Sequence, residues 1–319
     1  MSRRGRRGLA DALPFLLPNL LGFLLFTAGP VLFSLGAAFT NANLMRSVPL
    51  QFTGLENFRM LFSDREFHLY FLNTLYFLIG MPVAIAGSLA LAVLLSREIR
   101  GVVVYRTLFY LPSFTSGVAL MILWKQLYNP DFGPINAAIH WVSATLRLGM
   151  DAPDWLLSTR NLLGIEVEKV ALSARQYGLG ARDAIVIMGV WTAVGGNNLL
   201  LYLAALMNVP TELQEAAALD GAKPGQVFRH VTWPQLAPTT FFIVVMSTIG
   251  GLQGGFEQAR VMTAGGPSGT TTTLSYYIYT KAFEEFRIGY ASAVAWVLFA
   301  VIFALTLVNW KFGNREVAE

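Results

Sequence analysis

No cysteine occurs in this chain of 319 residues, which excludes a disulfide framework, a thiol nucleophile and a thiolate-bound metal, and leaves the redox compartment open. Charge is scarce too: Asp, Glu, Lys and Arg make up 13% of residues, against 55% that are hydrophobic. With a mean hydropathy of +0.52, the chain is too apolar for a soluble domain of its length, so a bilayer is the expected solvent. Histidine is limited to His68, His140 and His230, scattered and without an H-E-x-x-H pair, which argues against a metal centre. Gly221-Ala222-Lys223-Pro224 lacks the upstream glycine and the hydroxyl of a nucleotide-binding loop, and Gly266-Pro267-Ser268-Gly269 misses the G-x-S-x-G elbow. No long internal repeat and no low-complexity segment is present, which argues against both halves of a pseudo-symmetric transporter lying in one chain.

What is present is long apolar runs. The net charge of +4 and isoelectric point near 9.4 do not indicate a nucleic-acid partner, because the basic residues are dispersed between those runs. A helix needs roughly 20 apolar residues to cross about 30 Å of hydrocarbon. Charge-free stretches at 13–45, 69–96, 107–124, 184–211, 231–256 and 288–310 therefore predict six spans in an all-α integral membrane protein. A further stretch, 261–280, carries Gly265, Gly266, Pro267, Gly269 and the run Thr270 to Thr273, and is expected in a loop. The first span is preceded by Arg3, Arg4, Arg6 and Arg7, like a signal peptide, but it is much longer than an h-region and has no clear cleavage site.

Those arginines, with Arg97, Arg100 and Arg106 in a short turn, place the basic N-terminus 1–12 and the C-terminus 314–319 in the cytoplasm around a membrane domain 13–313. Gly54-Leu55-Glu56-Asn57-Phe58 opens an amphipathic stretch with Phe58, Leu61 and Phe62 on one face, expected at the outer interface. Segment 127–183 mixes turn signals with short apolar runs and is the largest exterior piece, too small to be a confident separate domain. Segment 211–235 changes character. Thr211 and Gln214 fit a capping box, Gly221 supplies a left-handed stop after Asp220, and Pro224 suits the first turn of a second short helix before Trp233-Pro234 opens the next span. Ala216, Ala217 and Ala218 leave the first helix slim enough for a groove on a partner.

The run Glu215-Ala216-Ala217-Ala218-Leu219-Asp220-Gly221-Ala222, followed by Phe228, Val231 and Trp233-Pro234, resembles the EAA loop of ABC importer permeases. Trp233 stands where that pattern has leucine. Further text resembles the carbohydrate branch, the maltose and glycerol-3-phosphate type: Asn73-Thr74-Leu75, Arg106-Thr107-Leu108-Phe109-Tyr110-Leu111-Pro112, Asn129-Pro130-Asp131-Phe132-Gly133-Pro134, Gly265-Gly266-Pro267 and Gly289-Tyr290-Ala291-Ser292-Ala293. The match runs from about residue 50 to 313 and weakens at 142–183, which looks like an insertion. The resemblance implies a type I ABC importer permease fold in a bacterial or archaeal inner membrane. It implies a cytosolic ATPase dimer carrying ATP and Mg, a second homologous permease and an extracytoplasmic solute-binding protein. Glu215, Ala216, Ala217, Asp220 and Gly221 would then contact the ATPase, with Glu215 meeting a basic group and Gly221 making the reversal. The competing reading of the segment is an interfacial helix that merely connects two spans.

Polar groups inside apolar spans are costly in lipid and point to a cavity or a partner helix. Span four offers Trp191, Asn197, Asn198 and Tyr202, span five Gln253, Phe256 and Glu257, and span three Thr115. Amides bond hydroxyls in both senses and aromatic faces stack on sugar rings, so these residues form the expected substrate path for a carbohydrate, with a neutral oligosaccharide favoured over glycerol-3-phosphate or a polyol. The competing reading is helix–helix contact, preferred for Gly195, Gly196, Ser247 and Gly251. A secondary carrier or channel conflicts with the lack of coupling carboxylates in the spans, and a membrane enzyme would need an acid, base or metal set that is not found.

Overall fold

A computed structural model describes residues 14–45, 49–97, 100–165 and 177–317. The arginine cluster at 3–7 and part of the insertion at 142–183 lie outside the described residues, so neither expectation meets the structure. The helices are α1 (Pro14–Ala37), α2 (Glu56–Ser63), α3 (Arg65–Leu95), α4 (Val102–Phe114), α5 (Gly117–Leu127), α6 (Pro134–Leu146), α7 (Ala181–Met207), α8 (Thr211–Leu219), α9 (Pro224–Gln253), α10 (Leu274–Tyr279) and α11 (Ile288–Val317). Only the isolated bridges Thr40–Phe52 and Asn161–Tyr177 depart from helix as regular pairing among the described residues.

By length and apolarity α1, α3, α7, α9 and α11 each suffice to cross a membrane. The expected third span does not form one rod: α4 and α5 pass the test only as a pair, bent by 99°. Pro112 has no N–H for the ladder, the chain tightens into a 3₁₀ turn at Leu111–Phe114, and Thr115 and Ser116 are extended. The first span is also shorter than its charge-free run, ending at Ala37, beyond which Asn41 Oδ1 accepts the Gln51 N–H at 2.7 Å. Charge marks spans poorly where uncharged amides follow them.

The chain divides into two units. The first comprises residues up to Asp64 with Ile278–Val297. Here Asn57 Nδ2 donates to the carbonyls of Ala38 (2.9 Å) and Thr40 (2.8 Å), Gly289 N–H donates to Ala42 O (3.0 Å), and the Tyr290 hydroxyl donates to Asp64 Oδ2 at 2.6 Å. Asn57, from the predicted amphipathic stretch, is therefore a buried clamp on the turn after α1.

The second unit is Arg65–Tyr277 with Leu298 onward. One core joins Leu91, Ala92, Leu199, Tyr202 and Ile243 of α3, α7 and α9; another joins Trp124, Tyr128, Trp155 and Met188. Lipid is as apolar as these side chains, so close fit and hydrogen bonds hold the helices instead of solvent exclusion. Gly195 shows the closeness: a Cβ there would stand 2.0 Å from Phe109 O, which supports its helix-contact reading.

A buried polar cluster fastens this unit. Arg182, 1% exposed, donates from Nε to Asn73 Oδ1 and Thr270 O, both at 3.0 Å, and its guanidinium lies 5.7 Å from the Tyr76 ring centre. Asp183 accepts from the Tyr76 hydroxyl and from Gly180 N–H at 3.1 Å. Asn73 Nδ2 donates to Gly269 O (2.8 Å) and Thr272 O (2.9 Å). The stretch 261–280, expected in a loop, is partly helical: a π-helical turn at Gln258–Thr263 and α10 flank a tight segment whose threonines bond its own turn. Thr270 Oγ1 donates to Pro267 O at 2.8 Å and Thr271 Oγ1 to Gly266 O at 2.9 Å. All of Thr270 to Thr273 are buried.

Candidate coupling helix and solute path

Helix α8 hangs between two spans with none of its residues buried. Pro210 precedes it in extended conformation and Thr211 is already its first helical residue, with no side-chain cap. The expected Thr211–Gln214 capping box is therefore absent, because proline's fixed φ presets the entry without it. The far end fulfils expectation. Gly221 has φ +84°, Gly221 N–H donates to Ala218 O and Ala222 N–H to Ala217 O, each at 3.0 Å, which together make a Schellman closure. Glu215, Ala216, Asp220 and Gly221 are exposed and Ala217 is half-buried. Pattern matching missed Leu213 and Leu219, although the latter is 89% exposed. An apolar side chain so bare on a nine-residue helix is a signal for a partner surface or lipid.

The second short helix is not separate. Pro224 occupies a first-turn position and Lys223 N–H donates to Gln226 Oε1 at 2.8 Å, but the helix continues as α9 to Gln253. A π-helical turn at Phe228–Thr232, closed by Trp233 N–H on Phe228 O, carries the chain past Pro234 without a break. The expectation that Trp233-Pro234 begins a new helix is corrected accordingly.

The path candidates divide by surroundings. Helix α7 breaks where Gly196 is extended, so Asn197 restarts it, and Asn197 Oδ1 accepts from the Tyr110 hydroxyl at 3.2 Å. Trp191 is exposed, 5.4 Å from Trp124 between ring centres. Asn198 lines a cavity of about 350 Å³ with Ser247, Gly251 and Gln258, the last not singled out in the sequence. Gln253 is exposed and its carbonyl accepts from Ser275 Oγ at 2.5 Å. Glu257 is also exposed, with Oε2 2.6 Å from where a Cβ on Gly117 would stand, close to the corner where Thr115 lies between α4 and α5. Phe256 has the Arg260 guanidinium 5.8 Å from its ring centre and Tyr276 at 5.9 Å. Tyr202 stands apart from all of these: it is fully buried in a core, its hydroxyl donating to Thr240 Oγ1 at 3.2 Å. At the end of α5, burial pushes the Tyr128 phenol above its ordinary range, so it remains a neutral donor to Ala184 O at 2.9 Å. No group of carboxylates, histidines or cysteines that could hold a metal occurs among the described residues.

Residues 76–311 match the profile of the family described as binding-protein-dependent transport system inner membrane component. The probable ABC transporter permease protein YesP of Bacillus subtilis is 34% identical over 99% of this chain and 94% of its own length. The sn-glycerol-3-phosphate transport system permease protein UgpA of Pectobacterium atrosepticum is 29% identical over 84% and 82%. Among solved structures, a chain of a bacterial ABC transporter involved in import of the acidic polysaccharide alginate superposes with a TM-score of 0.77 at 23% identity, over 98% of this chain and 99% of that one. That likeness shows the fold. By the extent of the family match, this chain belongs to the inner-membrane permease components of binding-protein-dependent ABC importers.

Proposed function

We propose that this subunit conducts a carbohydrate by alternating access, driven by a separate ATPase that grips α8. The observation that carries the reading is the bare nine-residue helix closed by a left-handed glycine between two apolar spans. ATP and Mg would reside on a cytosolic ATPase dimer, with a second homologous permease beside this chain and a solute-binding protein outside. That arrangement puts α8 and both termini in the cytoplasm. Closure of the ATPases would rock the spans as rigid bodies, and a nearly complete switch needs ATP to prefer the closed state by about 10⁴-fold. Glu215, Ala216, Ala217, Asp220 and Gly221 form the contact, extended by Leu213 and Leu219. Asn197, Asn198, Trp191, Gln253, Phe256, Glu257 and Thr115 serve the path; Tyr202 supports it from the core. The relatives named for glycerol-3-phosphate and alginate favour a sugar or sugar-like solute.

The test is uptake of a sugar panel into proteoliposomes holding the assembled complex, with and without the ATPase. ATP-dependent uptake of a sugar is expected. Uptake that persists without the ATPase would establish a secondary carrier. In this assay Asn198→Ala should raise the half-saturating sugar concentration by about two- to tenfold, the worth of one neutral hydrogen bond, with complex yield unchanged; loss of assembly would assign Asn198 to helix packing.

A further inference from the structure

We propose that α6 is seated in the interfacial layer of the bilayer, on the side away from α8, with Trp141 as its anchor in the lipid. The helix runs Pro134–Leu146 and carries no Asp, Glu, Lys or Arg; Arg147 is the single such residue between Asp131 and Asp151. A water-facing helix ordinarily carries charged or polar residues along its outer face. Here the chain itself covers only the inner one. Ile135 and Ile139 pack inward against a core, and Asn136 is buried, its Oδ1 accepting from Trp155 Nε1 at 2.7 Å.

At about 3.6 residues per turn, Ala137, Ala138 and Trp141 fall on the other side, and all three are exposed, Trp141 by 70%. Beyond the helix Arg147 takes φ +53° and the chain doubles back. Leu148 N–H donates to Ser143 O at 3.0 Å and Met150 N–H to Ser143 Oγ at 2.8 Å. That turn adds the exposed side chains of Leu146, Leu148 and Met150 to the bare apolar surface. A lone exposed tryptophan needs no explanation, but a contiguous patch of this kind marks a protein or membrane partner.

Depth decides between the two. The core beneath α6 holds Leu120, Met121 and Trp124 of α5 with Ile185 and Met188 of α7. The last two lie about one to two turns inside a helix long and apolar enough to cross a membrane. Helix α6 is therefore held level with the start of that span, where hydrocarbon gives way to headgroups, and a soluble protein arriving from water would meet the headgroups first. Tryptophan suits that layer because its ring is apolar and its N–H polar, and Arg147 can extend its guanidinium to lipid phosphate while its stem stays on apolar surface. Since α6 precedes α7 and α8 follows it, the two short helices sit on opposite sides of the bilayer.

The lack of native cysteine permits a direct test. Ala138→Cys and, as a second variant, Ala137→Cys each carry a bimane fluorophore in the assembled importer, with partner subunits also stripped of cysteine, in liposomes. The quenchers are lipids bearing a nitroxide on the headgroup, high on the acyl chain or near its end, and aqueous iodide. Headgroup and upper-chain nitroxides are expected to quench most and iodide least, whereas a label on Phe26→Cys, exposed at the middle of α1, should respond most to the chain-end nitroxide. Trp141→Asp in the Ala138→Cys background should raise quenching by iodide, and Trp141→Phe should not. Strong iodide quenching in both labelled variants puts the face in water and overturns the proposal. Protection from every quencher overturns it in favour of a protein partner, and quenching that peaks with the chain-end nitroxide overturns the interfacial seat in favour of the bilayer centre.

Discussion

A Gly221→Leu variant of the assembled importer is expected to hydrolyse ATP while its uptake falls roughly 5- to 30-fold, the population change that 1–2 kcal/mol produces. The cost arises from the backbone. Gly221 sits at φ +84°, where a side chain is disfavoured by roughly 1–2 kcal/mol, and a Cβ there would meet nothing within 4 Å. Crowding inside the subunit is therefore not the cause; the Schellman closure through Ala217 and Ala218 is what loosens. Asparagine tolerates left-handed backbone better than leucine, so Gly221→Asn should keep most of the uptake. Equal losses in both variants would show that the side chain, not the turn, is what the position excludes.

Arg182→Met should produce the second large effect, on the fold. The substitution leaves Asn73 Oδ1 and Thr270 O without the donor they share, at about 1–3 kcal/mol for each orphaned acceptor, and strips Asp183 of its neighbouring cation. One gain opposes this, since Arg182 Nη1 and Nη2 lack protein partners among the described residues, and methionine removes that burden. Two lost acceptor contacts, with a buried carboxylate held only by its Tyr76 and Gly180 donors, outweigh it. The detergent-solubilised complex should melt at lower temperature, and the segment around Thr270 should become open to protease. Arg182→Lys should recover little, because the Nε that bridges both acceptors is absent in lysine. Unchanged melting in Arg182→Met would show that the cluster is dispensable.

This cluster also shows where the sequence was legible and where it was not. Charge-free length located five helices and both halves of the broken pair, because lipid enforces long apolar runs. The same rule misplaced the start of α7, which begins at Ala181 with Arg182 and Asp183 inside it. A charge paired across 88 or 109 residues of chain leaves no local trace. The bend at Thr115 and the break at Gly196 lay on residues already noted as polar or small, but composition could not say whether they packed, turned or lined a path. In segment 211–235 the slim helix and the turn at Gly221 were legible, since both are written in adjacent residues, whereas the missing Thr211 cap and the continuity of the second short helix with α9 were not.

The absence of cysteine makes the central claim directly measurable. Ala216→Cys is the sole thiol of the variant and lies exposed on α8, and a thiol-to-amine crosslinker applied to the assembled complex should join it to the ATPase. Gly149→Cys, in the predicted exterior segment, should not be joined. Crosslinking to the ATPase from Gly149→Cys and none from Ala216→Cys would contradict the assignment of α8 as the element through which the motor acts.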